Sequence, residues 1–138
     1  EKIEKFRRLN FKFFPGRVIE MVNSIPRQGK IKINSRHSYV LINPDQMLYC
    51  EAHDGYSYMY LTNGKKEVAG TSLSHIEQKV LKWNFFRLGR SFLINLDYIR
   101  YIDKSSNVCI LKSESVTKEL NSSQQSIKEL LYSKFNYS

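Results

Sequence analysis

Arg87 and Arg90 stand three residues apart in the stretch FFRLGRSFLINLDYI, residues 85–99. Gly89 breaks the run between them, and the apolar triplet Phe92-Leu93-Ile94 follows. Two cations on a rigid scaffold can grip phosphates, and a guanidinium can read a guanine through two parallel hydrogen bonds. Arg90 is the residue expected to make such a contact, the alternative being a surface salt bridge to an acid such as Asp97. Arg87 is expected either at the same surface or bracing the domain from inside. Ser91 and Asn95, short polar side chains beside a turn, are expected to satisfy backbone groups.

Other side chains offer fewer chemistries. Lys65 and Lys66 follow Asn63-Gly64 and read as phosphate contacts, or as a solvated edge whose charges block aggregation. Tyr56, Tyr58 and Tyr60 alternate along one strand face. They read as a stacking platform for single-stranded bases, or as half-buried packing with the hydroxyls at the rim. Cys50 and Cys109 lie in separate apolar runs and are expected as buried free thiols. No C-x-x-C or Cys/His cluster supports a disulfide or a zinc site, which fits a reducing cytoplasm. His37, His53 and His75 are scattered, and His75 is expected to be exposed. The sequence has no G-x-S-x-G, H-E-x-x-H, phosphate-cradling glycine loop or dinucleotide fingerprint. The expectation is a protein that is not an enzyme and needs no cofactor or metal.

The formal charge of +9 favours a polyanionic partner. Residues 1–33 carry nine Lys/Arg against three Asp/Glu, and the remainder thirteen against ten. Most of the excess is therefore N-terminal, and cations elsewhere must act locally. At 138 residues the chain has room for one domain with a modest core. No run approaches the roughly 18 apolar residues of a membrane span. The chain opens on Glu1 rather than Met, without a signal-peptide pattern, and is expected to be part of a longer protein.

These groups need elements to hold them. Residues 1–29 read as a basic arm or linker, partly helical, with Ile3, Phe6, Leu9 and Phe13 at helical spacing and breaks at Pro15-Gly16, Pro26 and Gly29. This arm is expected to contact a nucleic-acid backbone, to tether another domain, or to dock on the domain with its basic face in water. Residues 30–138 read as the domain itself, mostly β. Strands are predicted over 30–34, 38–42, 46–52, 56–62, 65–70, 99–103, 108–112 and 116–120, with further β texture around 85–94. Alternation in 46–52 places Met47, Tyr49 and Glu51 on one face and Leu48, Cys50 and Ala52 on the other. Asn63-Gly64 signals a type I′ hairpin turn, with positive φ at both central residues. A helix within 71–83 carries the stripe Leu73, Ile76, Val80, Leu81 and Trp83. Thr71, Ser72 or Ser74 caps it, and Ser74 and Glu77 match a capping box. A last helix starts at Asn121 or Ser122, with a Ser122-x-x-Gln125 box and the stripe Ile127, Leu130, Leu131 and Phe135.

Leu48-Tyr49-Cys50-Glu51-Ala52, Asn63-Gly64, Ser72-Leu73 with Ile76-Glu77, then FRLGRSFLIN (86–95), Tyr98-Ile99 and Ile102-Asp103 follow one another in a particular order. That order resembles the LytTR (LytR/AlgR-type) DNA-binding domain of bacterial transcription regulators, over roughly residues 30–131. The most specific part is the pattern F-x-R-x-(H)-R-S-x-L-(V/I)-N. The resemblance implies an elongated antiparallel β domain of about ten short strands, with one short central helix and a C-terminal helix. It implies duplex DNA as partner, bound by two copies on direct repeats through loop side chains in successive major grooves. It further implies a cytoplasmic output domain of a response regulator in two-component signalling, served by an upstream sensor, receiver domain or kinase.

Carried over by position, the resemblance puts the DNA-binding loops at Gly55-Tyr56-Ser57-Tyr58, at Gly89-Arg90-Ser91 and at Asn121-Ser122-Ser123-Gln124. Gly89 stands where the family usually has His, and Ser122 and Ser123 where it often has arginines. Serine bonds to phosphate but lacks the bidentate guanidinium pairing, and each lost pair removes about 1–3 kcal/mol of discrimination. A protein-interaction module on the same fold, with weakened DNA binding, is the alternative expectation.

Overall fold

The computed structural model describes residues 29–35 and 37–135. Apart from Gly29, the expected basic arm lies outside them. Ten strands and two α-helices make up the described part, in three antiparallel sheets, so the chain is mostly β as expected.

β1 (Ile31–Asn34) and β2 (Tyr39–Ile42) form a two-stranded ribbon. β3 (Met47–His53), β4 (Tyr56–Leu61), β5 (Lys66–Ala69), β6 (Phe85–Leu88) and β7 (Phe92–Asn95) form the central sheet, in the order β5-β4-β3-β7-β6. β8 (Ile99–Asp103), β9 (Val108–Lys112) and β10 (Thr117–Asn121) form the third sheet. Helix α1 (Leu73–Lys79) joins β5 to β6, and α2 (Gln124–Lys134) follows β10.

The central sheet separates two apolar cores. Cys50, Met59, Ala69 and Leu93 point to one side, where they meet Ile33 and Ile42 of the ribbon and Leu73 and Ile76 of α1. Tyr49, Leu88 and Ile94 point to the other, against Cys109, Leu111 and Leu120 of the third sheet and Ile127 and Leu130 of α2. Strict alternation fails at the start of β3. The register shifts between Met47 and Tyr49, so Met47 joins Cys50 in the first core while Leu48 joins Tyr49 in the second. Both thiols are buried and free, as expected, each in a different core.

Several local expectations need correction. The β4–β5 connection is not a type I′ turn, since Asn63 does not take positive φ and only Gly64 does, at +92°. Leu61 N–H donates to the Lys65 carbonyl and Gly64 N–H to the Leu61 carbonyl, giving a three-residue loop. The Asn63 Oδ1 accepts from Lys65 N–H instead of entering the left-handed region. Ser72 caps α1, its Oγ accepting from His75 N–H, so Ser74 and Glu77 form no capping box. The helix stops at Lys79, and the turn after Val80 sends Leu81 into solvent (69% exposed) while Trp83 returns to the first core. The last helix is capped by Ser123, with Asn121 still in β10, because it is the Ser123 hydroxyl that reaches Ser126 N–H. Phe135 lies beyond its last turn and is exposed.

Candidate nucleic-acid interface

Strands β6 and β7 pair from Phe85↔Asn95 to Leu88↔Phe92, which leaves Gly89, Arg90 and Ser91 as the turn. Gly89 adopts φ +66°, a left-handed conformation that costs other residues about 1–2 kcal/mol. Space restricts it too, because a Cβ there would lie 3.1 Å from Ser126 Oγ and 3.4 Å from Ser122 Oγ. The turn is thus pressed against the start of α2. Its other flank is fastened to β3, where Ala52 N–H donates to the Ser91 carbonyl at 2.8 Å. Arg90 at its tip is exposed, and no ion pair holds it among the described residues.

Arg87 points elsewhere. Its Nη1 donates to Ser74 Oγ at 3.2 Å and to Glu77 Oε1 at 3.1 Å, both on α1. Its Nη2 donates to the Arg90 carbonyl at 3.2 Å. Its Nε is buried without a partner. Of the two positions considered for it, the brace is the one occupied.

The second cluster lies at the start of α2. Ser122 N–H donates to the carbonyl of Asn107, which holds φ +59° in the β8–β9 turn. Ser123 Oγ accepts from Ser126 N–H at 3.1 Å and pairs with Ser126 Oγ at 2.9 Å. Gln124 is exposed. Where β8 enters the β8–β9 turn, Asp103 Oδ1 accepts from the Ser105 hydroxyl at 2.7 Å and from the Ser105 N–H at 3.0 Å. With help from Ser106, these bonds hold the Asp103 carboxyl below its ordinary range.

The β3–β4 hairpin tip lies at this same end of the sheet, since His53 pairs with Tyr56 and Ala52 bonds to Ser91. Its residues are less available than expected. Ser57 is fully buried and its hydroxyl donates to the Thr71 carbonyl at 3.0 Å, so it is not a surface group. Tyr56 and Tyr58 are half-buried in a ladder of rings. His53 stacks on Tyr56 at 5.6 Å, and Tyr49 stacks on Tyr60 at 4.5 Å. Burial, with Glu51 nearby, raises the Tyr60 phenol above its usual value, and its hydroxyl donates to Glu51 Oε1. Lys66 caps this ladder, its Nζ lying 4.2 Å from the Tyr58 ring centroid. Lys65 and the β4–β5 loop belong to the opposite end of the sheet, where Leu61 pairs with Met47. The structure therefore sets the Gly89–Ser91 turn against Ser122 and Ser126 at the start of α2, with the Tyr56 hairpin tip at the same end of the sheet, and sets Lys65 apart.

The family model described as the LytTr DNA-binding domain matches residues 37–133, well over half of the chain. The chain belongs to the LytTR family. Among solved structures it is similar to the LytTr DNA-binding domain of a Bacillus cereus protein described as a methyl-accepting/DNA response regulator. The two are 19% identical with a TM-score of 0.58, and the alignment covers 76% of this chain and 95% of that one. No curated protein matches the chain significantly. Among the described residues of this LytTR domain, no helix is long and apolar enough to cross a membrane.

Sequence reasoning missed three residues that hold the candidate turns of this LytTR domain in place from behind. By spacing Ser74 and Glu77 match a cap of their own helix, and no local signal in the sequence points either of them at Arg87. Ser126 is the third; it lies in the first turn of α2, where its hydroxyl pairs with that of the N-cap Ser123 and crowds Gly89.

Proposed function

We propose that this domain binds duplex DNA sequence-specifically as the output module of a bacterial transcription regulator in the cytoplasm. Arg90 reads a base edge, and Ser122, Ser123, Gln124 and Tyr56 make phosphate or groove contacts around it. The observation that carries this reading is the exposed Arg90, without an ion pair among the described residues, on a turn fastened to β3 and pressed against the start of α2. Fixed geometry is what base readout requires, because a bidentate pair loses its discrimination when its donors are free to wander. Two copies side by side on direct repeats, governed by a sensor, receiver or kinase beyond these residues, complete the proposal. Lys65, at the other end of the sheet, and Ser57, which is buried, are left out of the interface. Lys66 is left as a cap on the tyrosine ladder.

The test is selection of the chain against a random duplex pool at about 0.15 M salt, which suppresses generic phosphate binding. Enrichment of a short element repeated at about one-turn spacing is expected. Binding that enriches nothing and fades as salt rises would overturn the reading. Gly89, Ser122 and Ser123 supply no bidentate donor, and this favours the second reading, a protein-interaction module on the LytTR fold. Retention of a protein partner by a chain that selects no DNA would support it.

A further inference from the structure

The turn that carries Arg90 is held from two sides. On one, Gly89 lies against Ser122 and Ser126. On the other, a single guanidinium bridges α1 and the turn. Arg87 has five N–H donors. Both hydrogens of Nη1 are engaged, by Ser74 and Glu77, one of Nη2 goes to the Arg90 carbonyl, and the Nε hydrogen is buried. One donor remains. Bidentate recognition of a base or phosphate needs two parallel donors on one edge of the guanidinium, and every such edge of Arg87 includes a hydrogen that is engaged or buried.

We propose that Arg87 is a positioning residue for DNA recognition. Anchored by Glu77 and Ser74, it fixes the backbone at Arg90 and so sets the direction in which the Arg90 side chain leaves the turn, without touching DNA itself. This rests on the DNA reading above. It assigns to α1, which carries no interface residue, a part in specificity. Glu77 matters most, because its bond to Arg87 is charge-assisted and Ser74 supplies only a neutral hydroxyl.

The experiment compares the full chain with Glu77→Ala, Glu77→Gln, Arg87→Lys, Arg87→Met and Arg90→Ala. Affinities are measured on the selected site and on random duplex over a range of salt, alongside hydrogen exchange of the Gly89, Arg90 and Ser91 amides. Glu77→Ala should lower the preference for the selected site by about tenfold, leave affinity for random duplex and its salt dependence unchanged, and speed exchange in the turn. Glu77→Gln, which keeps an acceptor, should retain most of the preference. Arg87→Lys keeps the charge but not the fork, and should lose preference at an unchanged salt slope.

A salt slope shallower by about one in Arg87→Met would make Arg87 a phosphate contact and overturn the proposal. Unchanged preference and unchanged exchange in Glu77→Ala, with preference lost in Arg90→Ala, would also overturn it while leaving the DNA reading intact. A wild-type chain with no preference for any duplex would remove the reading, and the proposal with it. If Glu77→Ala does not fold, Ser74→Ala gives the same comparison with a smaller expected loss.

Discussion

The two ends of the central sheet are built on different terms. At the end holding the β4–β5 loop, polar side chains turn inward. Asn95 is buried; its Nδ2 donates to the Met47 and Pro44 carbonyls and its Oδ1 accepts from Asp97 N–H. The Tyr98 hydroxyl donates to the Asp45 carbonyl at 2.7 Å, and the Ser113 hydroxyl to the Thr62 carbonyl at 2.7 Å. Two 3-10 turns, Pro44–Gln46 and Leu96–Tyr98, start with the same device, an asparagine whose side chain accepts from the residue two positions on. At the other end Arg90, Ser123 and Gln124 face solvent. The bracing groups there, Arg87 and Asp103, fasten turns in place. One end uses its polarity to close the fold and the other to present side chains, so mutations at the two should separate stability from binding.

The largest effect is expected from Asn95→Ala. It strips partners from two carbonyls and one amide in a buried setting, and should cost about 3 kcal/mol in urea unfolding with DNA preference intact in the folded fraction. A loss below about 1 kcal/mol would blur the contrast between the ends. Arg90→Ala should do the reverse. Preference for the selected site falls by about 1–3 kcal/mol in competition binding, while stability moves by less than about 0.5 kcal/mol. Gly89→Ala sits between the two and should destabilise by about 1–2 kcal/mol, through its positive φ and the crowding at Ser126. Adding Ser126→Ala should relieve the crowding but not the backbone strain, so the double variant should be more stable than Gly89→Ala alone.

The smallest effect concerns pH. The folded Asp103 carboxyl is depressed by hydrogen bonds from Ser105 and Ser106, so its stabilising contribution is present above the ordinary carboxylate range and is lost as pH falls through and below it. Urea midpoints of wild type and Asp103→Asn should therefore differ at about pH 7 and converge only as pH falls below the ordinary carboxylate range. A difference that persists at low pH would mean that the turn does not depend on the charge.

The strands along the chain and the terminal helix were legible because alternation and the Ile127/Leu130 spacing report burial directly. The Arg90 turn was legible through Gly89, since a glycine between two arginines marks a backbone that must bend. Side-chain direction was not. Ser57 alternates with tyrosines, and nothing local says that its hydroxyl meets Thr71 across the sheet. Ser74 and Glu77 fit a capping box by spacing, yet the next serine upstream won the cap, and a cation ten residues beyond Glu77 took both side chains. Lys65 reads as a phosphate contact because it flanks a hairpin turn, yet that turn lies at the end of the sheet away from Arg90. Which end of a sheet a turn occupies depends on pairing across the whole sheet, and sequence spacing does not encode that.

The register shift in β3 also bears on chain length. Met47 and Leu48 are neighbours that fill opposite cores, so the strand works as a hinge point between two packing systems. Removing one residue there would straighten the strand and empty a place in one core or the other. The two-residue hairpin tip at Asp54-Gly55 could gain a residue at little cost. Insertions and deletions among relatives should therefore gather at the tips and avoid residues 47–53, making the length of β3 a more faithful marker of descent than the identity of any single side chain within it.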